Sequence, residues 1–223
     1  MEPRYARNIP ALTEAECALL RTKRVLVVGC GGLGGHILDQ LARIGVGFLR
    51  LVDGDVFEET NLNRQLLSSV PLLGVNKASA AADHIHRVNP DVKTEAVEAF
   101  MTERNVRKLL EGCDVVMDAL DSIPSRRLLA GACEEAGIPY VYGAISGWVA
   151  LAGISLPGDD LIEKLFPADV EIRDKSVLSF TPALCAAMQV SLCVKLLAGR
   201  PVETGTLFYF DLLNQEFETI PMI

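Results

Sequence analysis

The chain has 223 residues, half of them hydrophobic and 22% charged, with a formal net charge of -8, which suits one α/β domain and leaves no room for a second catalytic one. The acidic balance argues against a nucleic-acid partner and gives no reason to expect an anionic membrane surface. No signal-peptide pattern opens the chain, and six cysteines lie in apolar contexts without a C-x-x-C pair, as in a cytoplasmic protein with small packed thiols.

In chain order, residues 1-22 form an N-terminal arm, Arg4 to Pro10, and a short helix through Leu20 that Thr13 and Glu16 open with capping-box spacing. Arg24 to Val28 is a β-branched strand, and Gly29, Gly31 and Gly34 follow at once in the spacing G-x-G-x-x-G. The next helix shows a buried stripe at Leu33, Ile37, Leu38, Leu41 and Ile44 and ends at Gly45. A second strand, Phe48 to Val52, delivers Asp53 about twenty residues after the glycines, where a carboxylate accepts hydrogen bonds from a ribose. The glycines permit a tight turn and close approach to a phosphate, and the helix N-terminus offers unpaired N–H groups to an anion. The ligand expected here is a nucleotide. After Asp53 comes a dense polar set, Asn61, Arg64, Gln65 and Lys77. An arginine fork with a lysine suits a triphosphate.

Lys77 opens a helix closed by Asn89-Pro90. His84 and His86 diverge by about 200° on it, so they do not share a metal. A strand from Lys93 to Ala99 and a helix from Glu103 to Leu110 complete a βαβαβ half. Asp114 to Asp121 is a buried strand ending in carboxylates. Asp118 fits either a turn cap or a functional role, and Arg126 either a site residue or a surface charge of the following helix, Leu128 to Ala136. Strands from Tyr140 to Ile145 and from Val149 to Leu156 come next, then residues 157-180 without sustained periodicity, a long loop of the kind that carries function. The apolar segment from Thr181 to Leu197, interrupted by Gln189 and Lys195, reads as a buried helix with Cys185 as an inert thiol, and residues 205-223 as a terminal hairpin.

The run R-V-L-V-V-G-C-G-G-L-G-G, D-G-D-V, N-L-N-R-Q and G-x-x-K closely resembles the ThiF/MoeB/HesA family, relatives of ubiquitin-activating enzymes that adenylate the C-terminal glycine of a ubiquitin-like or sulfur-carrier protein. The resemblance implies a Rossmann-like α/β fold, a mainly parallel mixed sheet with helices on both faces, and a homodimeric adenylyltransferase acting with ATP and Mg²⁺ on a small ubiquitin-like carrier ending in Gly-Gly. It places Gly29, Gly31, Gly32, Gly34, Asp53, Asn61, Arg64, Gln65 and Lys77 at the nucleotide. Asp121 takes the place of the Mg²⁺ carboxylate, Arg7 that of an arginine reaching the partner's site, and residues 157-180 that of a crossover loop above the carrier's tail. Departures are Asn8 for the usual Gln, Ser122 for the usual Asn, and the absence of the C-x-x-C pairs and loop cysteine found in many members, so no zinc and no covalent carrier adduct are expected. Two alternatives stay open: a non-catalytic carrier-binding scaffold of the same fold, and an NAD-dependent oxidoreductase, which shares the glycine fingerprint and Asp53 but lacks a substrate domain.

Overall fold

The computed structural model describes residues 2–166 and 176–222. Five parallel strands, β1 (Arg24–Val28), β2 (Phe48–Val52), β3 (Lys93–Val97), β4 (Val115–Asp118) and β5 (Tyr140–Ser146), continue into three antiparallel ones, β6 (Val149–Ser155), β7 (Thr206–Asp211) and β8 (Glu216–Pro221), in the order 3-2-1-4-5-6-7-8. β1 pairs with β2 on one side and β4 on the other, so the winding reverses at β1 and opens a crevice beyond the strand ends.

Alternation along β1 feeds two cores. Val25 and Val27 pack with α2 (Gly32–Ile44), α3 (Lys77–Val88) and α7 (Phe180–Leu197). Leu26 and Val28 pack with α4 (Val106–Leu110), α5 (Ile123–Ala136) and α6 (Leu161–Leu165). The expected mixed sheet with helices on both faces is therefore present. By length and composition α7 could cross a membrane, but it packs against α2, β5 and β6 with Gln189 wholly buried, as expected for a core helix.

The N-terminal arm is a 3-10 turn over Pro3–Asn8, followed by α1 (Glu14–Leu20) with the expected Thr13–Glu16 capping box. The Tyr5 ring covers Gly45, at the C-terminal end of α2. Asn89 ties the arm down: its Nδ2 donates to Tyr5 Oη at 2.8 Å and to the Ala42 carbonyl at 2.7 Å, while its Oδ1 accepts from Arg4 Nη1 at 2.5 Å.

Two elements, α5 and α6, depart most from the sequence reading. α5 begins at Ile123 rather than Leu128, because Ser122 Oγ caps the Ser125 N–H and Pro124 sits in the first turn, where its missing N–H costs nothing. The stretch read as a loop holds α6, a helix too short for a periodic signal, with Leu161, Ile162 and Phe166 buried against the sheet. The charged run from Asp169 to Lys175 lies outside the described residues.

Asn89→Ala should lower unfolding stability by about 1–3 kcal/mol, since it leaves the Tyr5 hydroxyl and the Ala42 carbonyl without their buried donor. Urea unfolding followed by circular dichroism measures this, and an unchanged midpoint would mean that the arm is held by other contacts.

Candidate functional site

A cavity of about 570 Å³ opens where the winding reverses. Its walls come from the ends of β1 and β2 (Gly29, Asp53), the first turn of α2 (Gly31, Gly32), the segment after β2 (Asn61, Arg64, Gln65) and Lys77, and across the crevice from Asp121, Ala144 and Ile145. Residues far apart in sequence thus meet in one concave site, as ligand sites do in open α/β sheets.

The glycine turn divides its labour. A Cβ at Gly34 would stand 1.8 Å from the Gly29 carbonyl oxygen, so Gly34 lets α2 press its backbone onto the turn. It does not line the cavity. At Gly31 and Gly32 the nearest neighbours are the Gln65 and Arg64 side chains, at 3.5 and 3.7 Å, and both glycines face the open space.

Asp53 accepts the Cys30 N–H on Oδ2 at 2.8 Å and the Asp55 N–H on Oδ1 at 2.9 Å, which fixes the carboxylate and leaves each oxygen a further lone pair for a ligand hydroxyl. Arg64 Nη1 donates to the Thr60 carbonyl at 2.8 Å and to Asn63 Oδ1 at 2.9 Å. The other edge of this guanidinium has no partner among the described residues. Lys77, buried at the start of α3, donates from Nζ to Asp55 Oδ2 at 3.1 Å and keeps two donors. Asn61 Oδ1 accepts the Glu58 N–H at 3.0 Å, so Asn61 holds the polar loop in shape as well as lining the cavity. Gln65 Oε1 is a buried acceptor without a partner among the described residues.

Asp121 is exposed in the cavity and makes no hydrogen bond or ion pair among the described residues. Asp118, three residues earlier, is its opposite. It is 0% exposed and bonded to Arg126 Nη1 at 2.5 Å, to the Tyr140 hydroxyl and to the Leu120 N–H. The two readings left open for Asp118 resolve to structure. The surface reading of Arg126 is overturned, since this residue is 4% exposed, because α5 starts one turn earlier and points it between β4 and β5. Burial pushes the Asp118 carboxyl above its ordinary value against the pull of Arg126, and raises the Tyr140 phenol well above its own. Ser122 caps α5 and is not among the residues lining the cavity.

Arg7 does not line the cavity of its own chain. It is exposed on the arm that Tyr5 anchors at the far end of α2, and a helix of 13 residues is about 20 Å long. The sequence reading also does not reach Phe100, Met101, Ala144 and Ile145, which line the cavity. Their one sequence signal is their place at the ends of β3 and β5.

The profile of the ThiF family matches residues 5–223. The chain belongs to the ThiF family. Among curated ThiF-type relatives, the SAMP-activating enzyme E1 of Haloferax volcanii is 38% identical over 98% of this chain and 84% of its own length. The probable adenylyltransferase/sulfurtransferase MoeZ of Mycobacterium tuberculosis is 32% identical over 97% of this chain and 59% of its own. The adenylyltransferase and sulfurtransferase MOCS3 of Mus musculus is 34% identical, and the chain spans about half of it, 49%. Among solved structures, E. coli MccB with ATP superposes with a TM-score of 0.86 over 100% of this chain and 71% of that one, at 20% identity, a likeness of fold. The expectation of an adenylyltransferase of this family is met by these relatives, two of which carry that activity in their names.

All six cysteines are free and buried. Burial pushes the Cys185 thiol up to about 12, and the Cys30 thiol rises well above its ordinary value through burial and then the nearby Asp53 charge. Iodoacetamide at about pH 8 should therefore leave both unlabelled in the native protein and label both in urea. Peptide mass spectrometry reads this, and native labelling of Cys185 would reveal a reactive thiol.

Proposed function

We propose that this ThiF-family chain uses ATP to adenylate the C-terminal glycine of a small ubiquitin-like sulfur-carrier protein ending in Gly-Gly. The observation that carries this reading is the meeting in one cavity of a fixed carboxylate at the end of β2, an arginine edge and a buried lysine that keep donors to spare among the described residues, and a carboxylate beyond β4 that is unpaired among them. A hydride-transfer site has no use for that set. ATP use is also supported by the family and by the fold shared with MccB, whose structure holds ATP.

In this reading Asp53 accepts the ribose hydroxyls, the Gly31–Gly32 backbone faces the phosphates, and Arg64 and Lys77 neutralise them, with Asn61 and Gln65 completing the polar wall. The carrier's carboxylate attacks the α-phosphorus, an oxygen–phosphorus bond forms, the bond to pyrophosphate breaks, and the products are an acyl-adenylate and pyrophosphate. Neither reacting group belongs to the protein, so its contribution is positioning and charge. Asp121 fits a Mg²⁺ role, because Mg²⁺ is commonly held by one or two carboxylates together with substrate phosphates, and no group of three His, Cys, Asp or Glu gathers among the described residues. The bound ion would neutralise charge on the phosphates.

A homodimer completes the reading. Arg7 is held a helix length from its own cavity, so a role at the phosphates requires a second subunit. A cytoplasmic location suits an ATP-consuming protein whose thiols are all free.

Purified protein with its Gly-Gly carrier should catalyse Mg²⁺-dependent ATP–pyrophosphate exchange, and Arg64→Ala or Lys77→Ala should lower the rate by roughly a hundredfold or more while keeping the fold. Exchange that is absent with a verified carrier would defeat the adenylation reading, and near-normal single-turnover rates in both variants would defeat the phosphate assignment. Mixing Arg7→Ala with Arg64→Ala subunits should restore about a quarter of wild-type activity under random exchange of independent sites. No recovery despite demonstrated subunit exchange would show that Arg7 does not act across an interface.

A further inference from the structure

β4 and β5 part company early. Their ladder ends at Met117–Val141, and beyond it the Asp118, Leu120 and Gly143 carbonyls would face one another across a gap with no strand partner. Two side chains fill that gap. Gln189 of α7 donates from Nε2 to the Asp118 carbonyl at 2.9 Å and to the Val141 carbonyl at 3.2 Å. Arg126 of α5 donates from Nη1 to Asp118 Oδ2 at 2.5 Å and to the Gly143 carbonyl at 2.6 Å, and from Nη2 to the Leu120 carbonyl. Gly143 leaves the space for this, since a Cβ there would stand 2.3 Å from Gln189 Cδ.

Leu120 is consequently held at both of its backbone polar groups. Its N–H donates to Asp118 Oδ1 at 2.8 Å and its carbonyl accepts from Arg126. The next residue is Asp121, whose side chain has no such support among the described residues and stands exposed in the cavity. A carboxylate that must meet a ligand without help from its own neighbours depends on the backbone that carries it. The Arg126 fork, itself at the cavity lining, fixes that backbone and, through Gly143, its distance to Ala144 and Ile145 on the same side of the cavity.

We propose that Arg126 is a positioning residue: its guanidinium spans the split between β4 and β5, sets the place of Asp121 through the Leu120 carbonyl, and so fixes the reacting side of the cavity. The inference rests on the adenylation reading above. An ammonium cannot reproduce it, because one nitrogen on a flexible stem does not hold three acceptors on two strands in fixed geometry.

The test compares ATP–pyrophosphate exchange, nucleotide affinity by calorimetry and thermal melting in wild type and variants. Arg126→Lys keeps a cation beside Asp118 and should lower kcat roughly 10- to 100-fold with nucleotide affinity within about threefold, as displacement of a positioned group does. In an Asp121→Ala background the same change should cost less than about threefold in single turnover, since a residue that acts through Asp121 has nothing left to position. The paired variant Asp118→Asn with Arg126→Gln removes the buried charges as a unit, strands no ion, and should show the same kcat loss if Arg126→Lys does not fold. Tyr140→Phe leaves the fork on Leu120 in place and should stay within about threefold of wild type. An Arg126 effect of equal size with and without Asp121, a kcat retained in either Arg126 variant, or a Tyr140→Phe loss matching that of Arg126→Lys would overturn the proposal. Wild-type protein without exchange would defeat the adenylation reading and the inference with it, whereas wild-type exchange with unaltered Arg126 variants defeats the inference alone.

Discussion

Close contact between two glycine backbones, Gly34 against the Gly29 carbonyl, is the constraint on which the rest of the molecule depends. It lets α2 begin immediately after β1 and lie against it, which brings the unpaired N–H groups of its first turn to the crevice between β1 and β4. With a side chain at Gly34, the helix would stand off the sheet and the cavity would lose the wall that an anion needs, while a Cβ at Gly29 would stand 2.5 Å from the Ala119 carbonyl oxygen. The Leu33, Ile37, Leu38 and Leu41 stripe holds the helix in place once it is there.

Around that wall the charges are arranged by how firmly each is held. Asp53 is clamped by two backbone N–H groups, Lys77 is buried with one carboxylate partner, and among the described residues Arg64 is fixed by one edge and open at the other and Asp121 is bare. Groups that recognise a substrate gain by being fixed beforehand, since reorganisation during the reaction raises the barrier. The bare carboxylate lies across the crevice from Asp53, where a strand end held by Arg126 and Gln189 supplies the rigidity that the side chain itself lacks.

The buried pair of Asp118 and Arg126 is ill explained as a source of stability, because two desolvated ions regain in attraction little more than they lose in hydration. Its geometry gives a better account. The pair bonds to carbonyls of both strands at the point where their ladder stops, so it replaces sheet hydrogen bonds in a place where the sheet must open to admit a ligand.

The local part of this protein was legible in its sequence. Glycine spacing, the helix stripe, Asp53 and the polar run through Lys77 are read from neighbours along the chain, and the strand, turn and helix they specify are all present, because propensity, capping and periodicity act over a few residues. The family motifs place the same residues at a nucleotide, and ten of the eleven positions they mark lie at or beside the cavity. Three matters were decided only by tertiary structure. Arg126 reads equally as a site residue or a surface charge until α5 starts at Ile123 and turns it inward. Gln189 reads as an interruption of an apolar helix until β4 and β5 diverge and offer it two carbonyls. Arg7 reads as part of an arm of unknown course until Tyr5 and Asn89 fix that arm at the far end of α2. Arg126 reaches Gly143 on the next strand, Gln189 reaches carbonyls of β4 and β5, and Asn89 holds the arm from the end of α3; a linear pattern holds no record of which carbonyls a fold will leave without a ladder.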